Sequence, residues 1–312
     1  MSGPDEFDQI AQLFRPLTRG AAEAFDLLDD AAALPGRPGM DLVVTKDAMV
    51  EGVHFLPGTP ADLVARKLIR VNLSDLAAKG AEPYGYFLAV SWPGGFGWPE
   101  RQAFAQGLGA DGEAFGLTLF GGDTTSTPGP LTCSMTMLGW VPAGRMIRRA
   151  GARVGDLVMV SGVIGDGVLG LAAGRGEITD PEGAFLRRYQ LPEPRLGLRG
   201  ALRSGASAAC DVSDGLVADL GHIARASSVG MTLDLDRAPL SAAAKAWLDI
   251  QPDRAAALVR LATGGDDYEV ACTGLAPLPG FTVIGAVVVG TGVASRVDGQ
   301  GVEAGAGGWR HP

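Results

Sequence analysis

The 312-residue chain has three cysteines, Cys133, Cys210 and Cys272, and no CxxC pair. An odd, widely spaced set argues against a disulfide framework and a structural zinc site, and fits an intracellular setting. No uncharged apolar stretch reaches the ~20 residues of a membrane span. The candidate, residues 281–295, is too short and is broken by glycine. The opening MSGPDEFDQI is acidic and lacks the apolar centre of a signal peptide. Positive charge is scarce: 26 Lys and Arg stand against 35 Asp and Glu, a net charge of -9. Such a chain repels a phosphate backbone, so nucleic acid is not expected as a partner. There is no GxxxxGK[ST] phosphate loop, no HRD or DFG set and no HExxH. The histidines, His54, His222 and His311, pair with no nucleophile motif, so Ser–His–Asp hydrolysis has no support. The reading is a globular, cytoplasmic protein.

What is present is a turn-rich but well-filled chain, 46% hydrophobic, with 47 Gly and 20 Pro. Ile10, Leu13, Phe14 and Leu17 predict an opening helix from their spacing. Compact apolar runs predict strands at 42–45, 87–92, 117–120 and 131–141. Helical patterns cover 61–79, stopped by Gly80 and Pro83, and 99–115. Residues 142–155 carry Arg145, Arg148, Arg149 and Arg153 with little apolar periodicity, and the domain boundary is placed there. A strand at 157–161, the Gly-rich turn SGVIGDG, and helices from about 168 and over 213–228 follow. Strands at 268–273 and 281–289 come last. Alternating strands and helices in both halves give an α/β (α+β) class with two domains, 1–141 and 142–312.

Aspartates recur at the ends of apolar runs or beside Gly, Ser and Thr: Asp29-Asp30, Asp47, Asp75, GGDTT (121–125), DVSDG (211–215) and GGDD (264–267). Carboxylates on tight turns suit Mg²⁺, which keeps waters and substrate phosphates as its other ligands. Small neighbours let backbone amides approach a phosphate. Each piece alone is also ordinary turn chemistry. Asp75 shares a helix face with Asn72 and Lys79, which reads either as a solvated face or as a ligand position. Ser213 reads as an N-cap whose helix could meet an anion, with Asp211 and Asp214 needing a cation between. Asp219 and His222 read as surface-helix residues. The arginines at 145–153 read either as a solvated linker or as a phosphate clamp.

The segments LLDDAAAL (27–34), TKDAMVEGVHF (45–55), VNLSDLAAKGAEP (71–83), GGDTT, RRAGARVGDLVMVSG (148–162), DVSDGLVADLGHIARAS (211–227), GGDDYEV (264–270) and GWRHP (308–312) together resemble the thiamine-monophosphate kinases. These belong to a wider group of ATP-using enzymes that includes aminoimidazole ribonucleotide synthetase. The resemblance implies an N-terminal domain whose strands pair across a homodimer into a β-barrel, and a C-terminal α/β domain. It implies transfer of the ATP γ-phosphoryl group to thiamine monophosphate, with several Mg²⁺ ions. By motif, Asp30, Thr45, Asp47, Asp75, Asp123, Asp211 and Asp214 would hold metal. Gly122, Asp123, Arg149 and Ser213 would contact ATP. His54, Asp266 and Trp309 would contact the thiamine phosphate. No catalytic base is implied, because the acceptor phosphate is itself the nucleophile.

Three positions depart from the family pattern: Leu28 for a Gly, Lys46 before Asp47 where a hydroxyl is usual, and Asp266 for a Glu. Lys46 either points into the metal cluster and displaces a cation, or alternates away from it. The other readings are another ATP-dependent enzyme of the same group, or a non-catalytic ATP/Mg²⁺ binder. Two further members of the group fit less well: selenophosphate synthetase, which uses an N-terminal Cys or selenocysteine, and a hydrogenase-maturation protein, which uses a C-terminal Cys, since here no Cys precedes Cys133 and none follows Cys272.

Overall fold

The computed structural model describes residues 6–304, in two compact units. The first comprises the residues up to Leu76 and Ala81–Gly144; the second comprises Ala77–Gly80 and the residues from Arg145 onward.

In the first unit, α1 (Glu6–Gln9) runs into a π turn (Ile10–Phe14) and a 3₁₀ turn (Arg15–Thr18). The expected opening helix is therefore broken into short turns. Pro16 has no N–H to continue a regular ladder, and Leu13 and Phe14 are still buried. Strand β1 (Met40–Val50), helix α2 (Ala61–Ala78), β2 (Glu82–Pro93), α3 (Trp98–Phe115), β3 (Thr118–Thr127) and β4 (Thr132–Pro142) follow. The strands form one sheet in the order β1-β4-β2-β3. β4 is antiparallel to both β1 and β2, and β3 runs parallel to β2.

Two strands outrun their apolar runs. β1 continues through Thr45-Lys46-Asp47 because alternation sends Lys46 to one face and its two neighbours to the other. β3 continues through GGDTT, where a tight turn was expected. Gly122 lies opposite Leu88 of β2, and a Cβ there would collide with the Leu88 carbonyl oxygen. Only glycine lets the two backbones approach.

Helix α2 has no broad solvated face. Val64, Ala65, Leu68, Ile69, Leu73 and Leu76 are buried, and so are Asn72 and Ser74. Asn72 donates from Nδ2 to the Leu68 carbonyl, while its Oδ1 is buried without a partner. Asp75 is half-buried among these residues.

The second unit contains β5 (Leu157–Ser161), α4 (Asp166–Gly174), α5 (Ala184–Gln190), α6 (Arg199–Gly205), β6 (Ala208–Val212), α7 (Leu216–Ser227) and β7 (Gly230–Asp234). Helices α8 (Ala242–Asp249) and α9 (Arg254–Thr263) precede β8 (Glu269–Gly274), β9 (Phe281–Val288), β10 (Gly292–Val297) and β11 (Gln300–Val302). The seven strands order as β11-β10-β7-β9-β5-β8-β6. Val158, Val160, Val212, Leu220, Ile223, Met231 and Ile284 are among the core residues. β5 and β6 both lie antiparallel to β8, so their C-terminal ends and the start of β8 share one end of the sheet. That topology gathers SGVIGDG, DVSDG and GGDDYE.

The three cysteines are free and buried, and burial pushes the Cys133 thiol up to about 12. Among the described residues, no helix is long and apolar enough to cross a membrane.

Candidate active-site residues in each unit

In the first unit, β1 and α2 bring Thr45, Asp47 and Asp75 together. The Thr45 hydroxyl donates to Asp75 Oδ2. Burial, and then the neighbouring Asp75 carboxylate, push Asp47 up to about 7. Two carboxylates forced together with no cation between them are a poor arrangement for folding and a good one for a hard divalent ion. The donor set therefore fits Mg²⁺. Lys46 does not join it. Its Nζ donates to Ser134 Oγ (2.9 Å) and Thr136 Oγ1 (3.4 Å), on residues paired with Ala48 and Lys46. Of the two readings for this lysine, the strand adopts the outward one.

Asp29, Asp30, Gly122 and Asp123 line a separate cavity of about 430 Å³. Ile10, Phe14, Leu27, Phe87 and Phe120 supply its apolar wall. Exposed carboxylates at an apolar hollow suit a ligand with a flat ring and a metal-bound phosphate. His54 sits in the turn after β1. Its Nδ1 accepts from the Val50 amide (3.1 Å), and its carbonyl accepts from Lys67 Nζ (3.0 Å).

In the second unit, the three loops interlock. The Asp266 amide donates to the Ser213 carbonyl (2.9 Å), and the Tyr268 amide donates to the Val212 carbonyl (2.7 Å). Buried Asp267 accepts from the Gly165 and Gly167 amides at 2.9–3.0 Å, and burial raises its carboxyl to about 8. Glu269, fully buried, accepts from Ser161 Oγ, Arg188 Nη2 and Arg195 Nε and Nη2, each at 2.6 Å. Asp266 and Tyr268 both have positive φ, 66° and 50°, in a turn held by these bonds. Asp266 itself is half-buried.

Ser213 is not the N-cap of α7. That position is Gly215, and the side chain that meets the free amides is Asp219. The surface reading of Asp219 is thus corrected: the residue is buried, and its carboxyl is pushed up to about 7 by burial and by Asp214. Among the described residues, the one trio of acidic or imidazole ligand atoms within 4.8 Å of one another belongs to Asp214, Asp219 and His222. Asp211 is buried at the end of β6. Arg149 is exposed, and its positive charge acts on Asp219 and His222, whose imidazole is shifted down chiefly by burial. Trp309 lies outside the described residues.

Sequence profiles for the AIR synthase related protein match residues 28–141 with the N-terminal domain and 153–298 with the C-terminal domain. The thiamine-monophosphate kinase of Caulobacter vibrioides is 56% identical over 320 aligned positions, covering 99% of this chain and 91% of that protein. The chain belongs to the thiamine-monophosphate kinase family. Other thiamine-monophosphate kinases agree. The Escherichia coli protein is 38% identical, covering 86% of this chain and 82% of its own length. A crystal structure from Stenotrophomonas maltophilia has a TM-score of 0.78 at 38% identity, covering 88% of this chain and 91% of that one. The structure described as AaThiL complexed with AMPPCP and TMP has a TM-score of 0.80 at 31% identity, covering 89% of each chain.

Proposed function

We propose that this chain transfers the γ-phosphoryl group of ATP to thiamine monophosphate, giving thiamine diphosphate and ADP. The observation that carries the reading is the crowding of Asp47 and Asp75 beside Thr45, which favours a divalent cation, in a chain 56% identical to a thiamine-monophosphate kinase. Asp30, Thr45, Asp47, Asp75 and Asp123 of the first unit, and Asp211 and Asp214 of the second, would hold Mg²⁺. When bound, these ions screen the repulsion between two polyanions and neutralise charge on the transferred group.

The residues of the chain bind and orient. The extended backbone at Gly122 offers close approach to a phosphate, and Arg149 and Ser213 add a cation and a hydroxyl for ATP. By their match to the family's motifs, His54, Asp266 and Trp309 would contact thiamine monophosphate. The interlocked turns fix Asp266, although its side chain is one methylene shorter than the family's Glu. The acceptor is a phosphate monoester, largely dianionic at neutral pH because its second pKa is about 6. It attacks without a general base, so positioning and electrostatics carry the rate.

The working form is a homodimer built through the first unit. In support, β1 is an edge strand of its sheet and leaves Leu42 and Val44 41% and 56% exposed. Sedimentation at micromolar concentration should give twice the 32.0 kDa chain mass; a monomer in the presence of ATP and Mg²⁺ would contradict it. The reaction is tested by ADP release with ATP and Mg²⁺ plus either thiamine monophosphate or free thiamine. Fast release with the phosphate ester alone supports the reading. Equal release with free thiamine, whose hydroxyl needs a base, would overturn it.

A further inference from the structure

Helix α7 starts without a side-chain cap. Gly215 occupies the cap position with φ 126°, a conformation open to glycine, and a Cβ there would press on the Thr263 carbonyl oxygen at 2.7 Å. The helix therefore opens with unsatisfied amides, and the two residues before Gly215 add their own. Three successive amides, of Ser213, Asp214 and Gly215, converge at 3.0, 3.0 and 3.1 Å on one atom, Oδ2 of Asp219. That carboxylate comes from within the first turn of the helix and is 1% exposed. A curl of consecutive amides left open is an anion site. Here the protein's own carboxylate fills it, so a nucleotide phosphate cannot use these amides.

The opposite side of the same turn is also fixed. The Asp266 amide donates to the Ser213 carbonyl, and a Cβ on Gly265 would collide with that carbonyl oxygen. The backbone of Ser213 is thus held at both its amide and its carbonyl, and that of Asp214 at its amide.

We propose that Asp219 is a positioning residue: by filling the amide curl with Oδ2 it fixes Ser213 and Asp214 for a cation-bound nucleotide and bars direct phosphate binding at the start of α7. This rests on the functional reading above, which gives Ser213 and Asp214 their ligands. It asks for an acceptor oxygen at one point and does not ask for the charge.

Asparagine separates the two requirements, because its Oδ1 can take the place of Oδ2 and keep all three bonds. Binding of a non-hydrolysable ATP analogue is measured by calorimetry across a Mg²⁺ titration for wild type, Asp219→Asn and Asp219→Ala, alongside the KM for thiamine monophosphate. Asp219→Ala should weaken Mg²⁺-dependent nucleotide binding about 10-fold, the usual cost of losing a group that orients a metal ligand. Its KM for thiamine monophosphate should stay within about twofold, a split that general unfolding would not give. Asp219→Asn should restore binding to within about threefold of wild type. Wild-type binding in Asp219→Ala would overturn the proposal. So would an Asp219→Asn variant as impaired as Asp219→Ala, since Asp219 would then be a cation ligand through its charge. If Asp219→Ala does not fold, Asp219→Asn alone decides, because a 10-fold loss there is incompatible with a purely positioning role. The binding readout needs no turnover, so a wild type that binds Mg²⁺-nucleotide but makes no thiamine diphosphate would defeat the functional reading and leave this test standing.

Discussion

Asp75→Asn separates a metal-binding carboxylate from a structural one. Without a cation, Asp75 is a liability to folding through its effect on Asp47. The rise of Asp47 from its ordinary 3.8 to about 7 corresponds to ~4 kcal/mol. Burial is the larger cause and Asp75 the second, so the share of Asp75 is ~1–2 kcal/mol. The folded-state value lies above the unfolded one, so between these two pH values the native state binds more protons than the unfolded state. Metal-free stability accordingly falls as pH rises from about 4 to about 7, and the penalty is complete above that. Asparagine keeps an acceptor for the Thr45 hydroxyl and removes the charge. In chelator at pH 8, Asp75→Asn should therefore melt ~2–5 °C above wild type, and near pH 5, where Asp47 is protonated in both folded proteins, the gain should nearly vanish. With ATP, Mg²⁺ and thiamine monophosphate, the same variant should lose on the order of 100-fold in kcat/KM. Scanning calorimetry at the two pH values and a coupled ADP assay read both effects. Near-normal turnover with an unchanged metal-free melting temperature at pH 8 would show that Asp75 is only a structural partner of Thr45.

Three further substitutions follow from the packing. Gly122→Ala drives a Cβ into the Leu88 carbonyl between two paired strands, and should cost ~1–3 kcal/mol in urea unfolding as well as activity. Glu269→Gln leaves Arg188 and Arg195 beside a neutral, buried group and should destabilise by ~3–5 kcal/mol by the same measurement. Lys46→Thr should leave the Mg²⁺ dependence of activity superimposable on wild type, because the ammonium already bonds Ser134 and Thr136 of the neighbouring strand β4; a steeper dependence would show that Lys46 reaches the cation set.

The alternating pattern of strands and helices was legible because apolar periodicity is local, as in α3 and α7. The aspartate-bearing motifs were legible for the same reason, since each is a short run beside an apolar segment. What escaped depends on distant partners. Nothing near GGDTT announces that Leu88 of another strand will press on Gly122 and keep the segment extended. Asn72 and Asp75 look like a polar stripe, yet the packing around α2 buries Asn72 and half-buries Asp75. Glu269 meets Ser161, Arg188 and Arg195 only after the sheet brings β5 and β8 together. Asp219 is not legible as a buried acceptor because an aspartate in an amphipathic helix resembles a solvated one. The available signal was the glycine at the cap of α7, a helix start that needs an acceptor from elsewhere.

Direct transfer between two phosphates is tested by the fate of the γ-phosphoryl group. In a single turnover with ATP labelled at that group, Mg²⁺ and excess thiamine monophosphate, the label should appear in the terminal phosphate of thiamine diphosphate, in equal amount to the ADP formed. Label recovered as inorganic phosphate, or retained on the protein, would contradict the account.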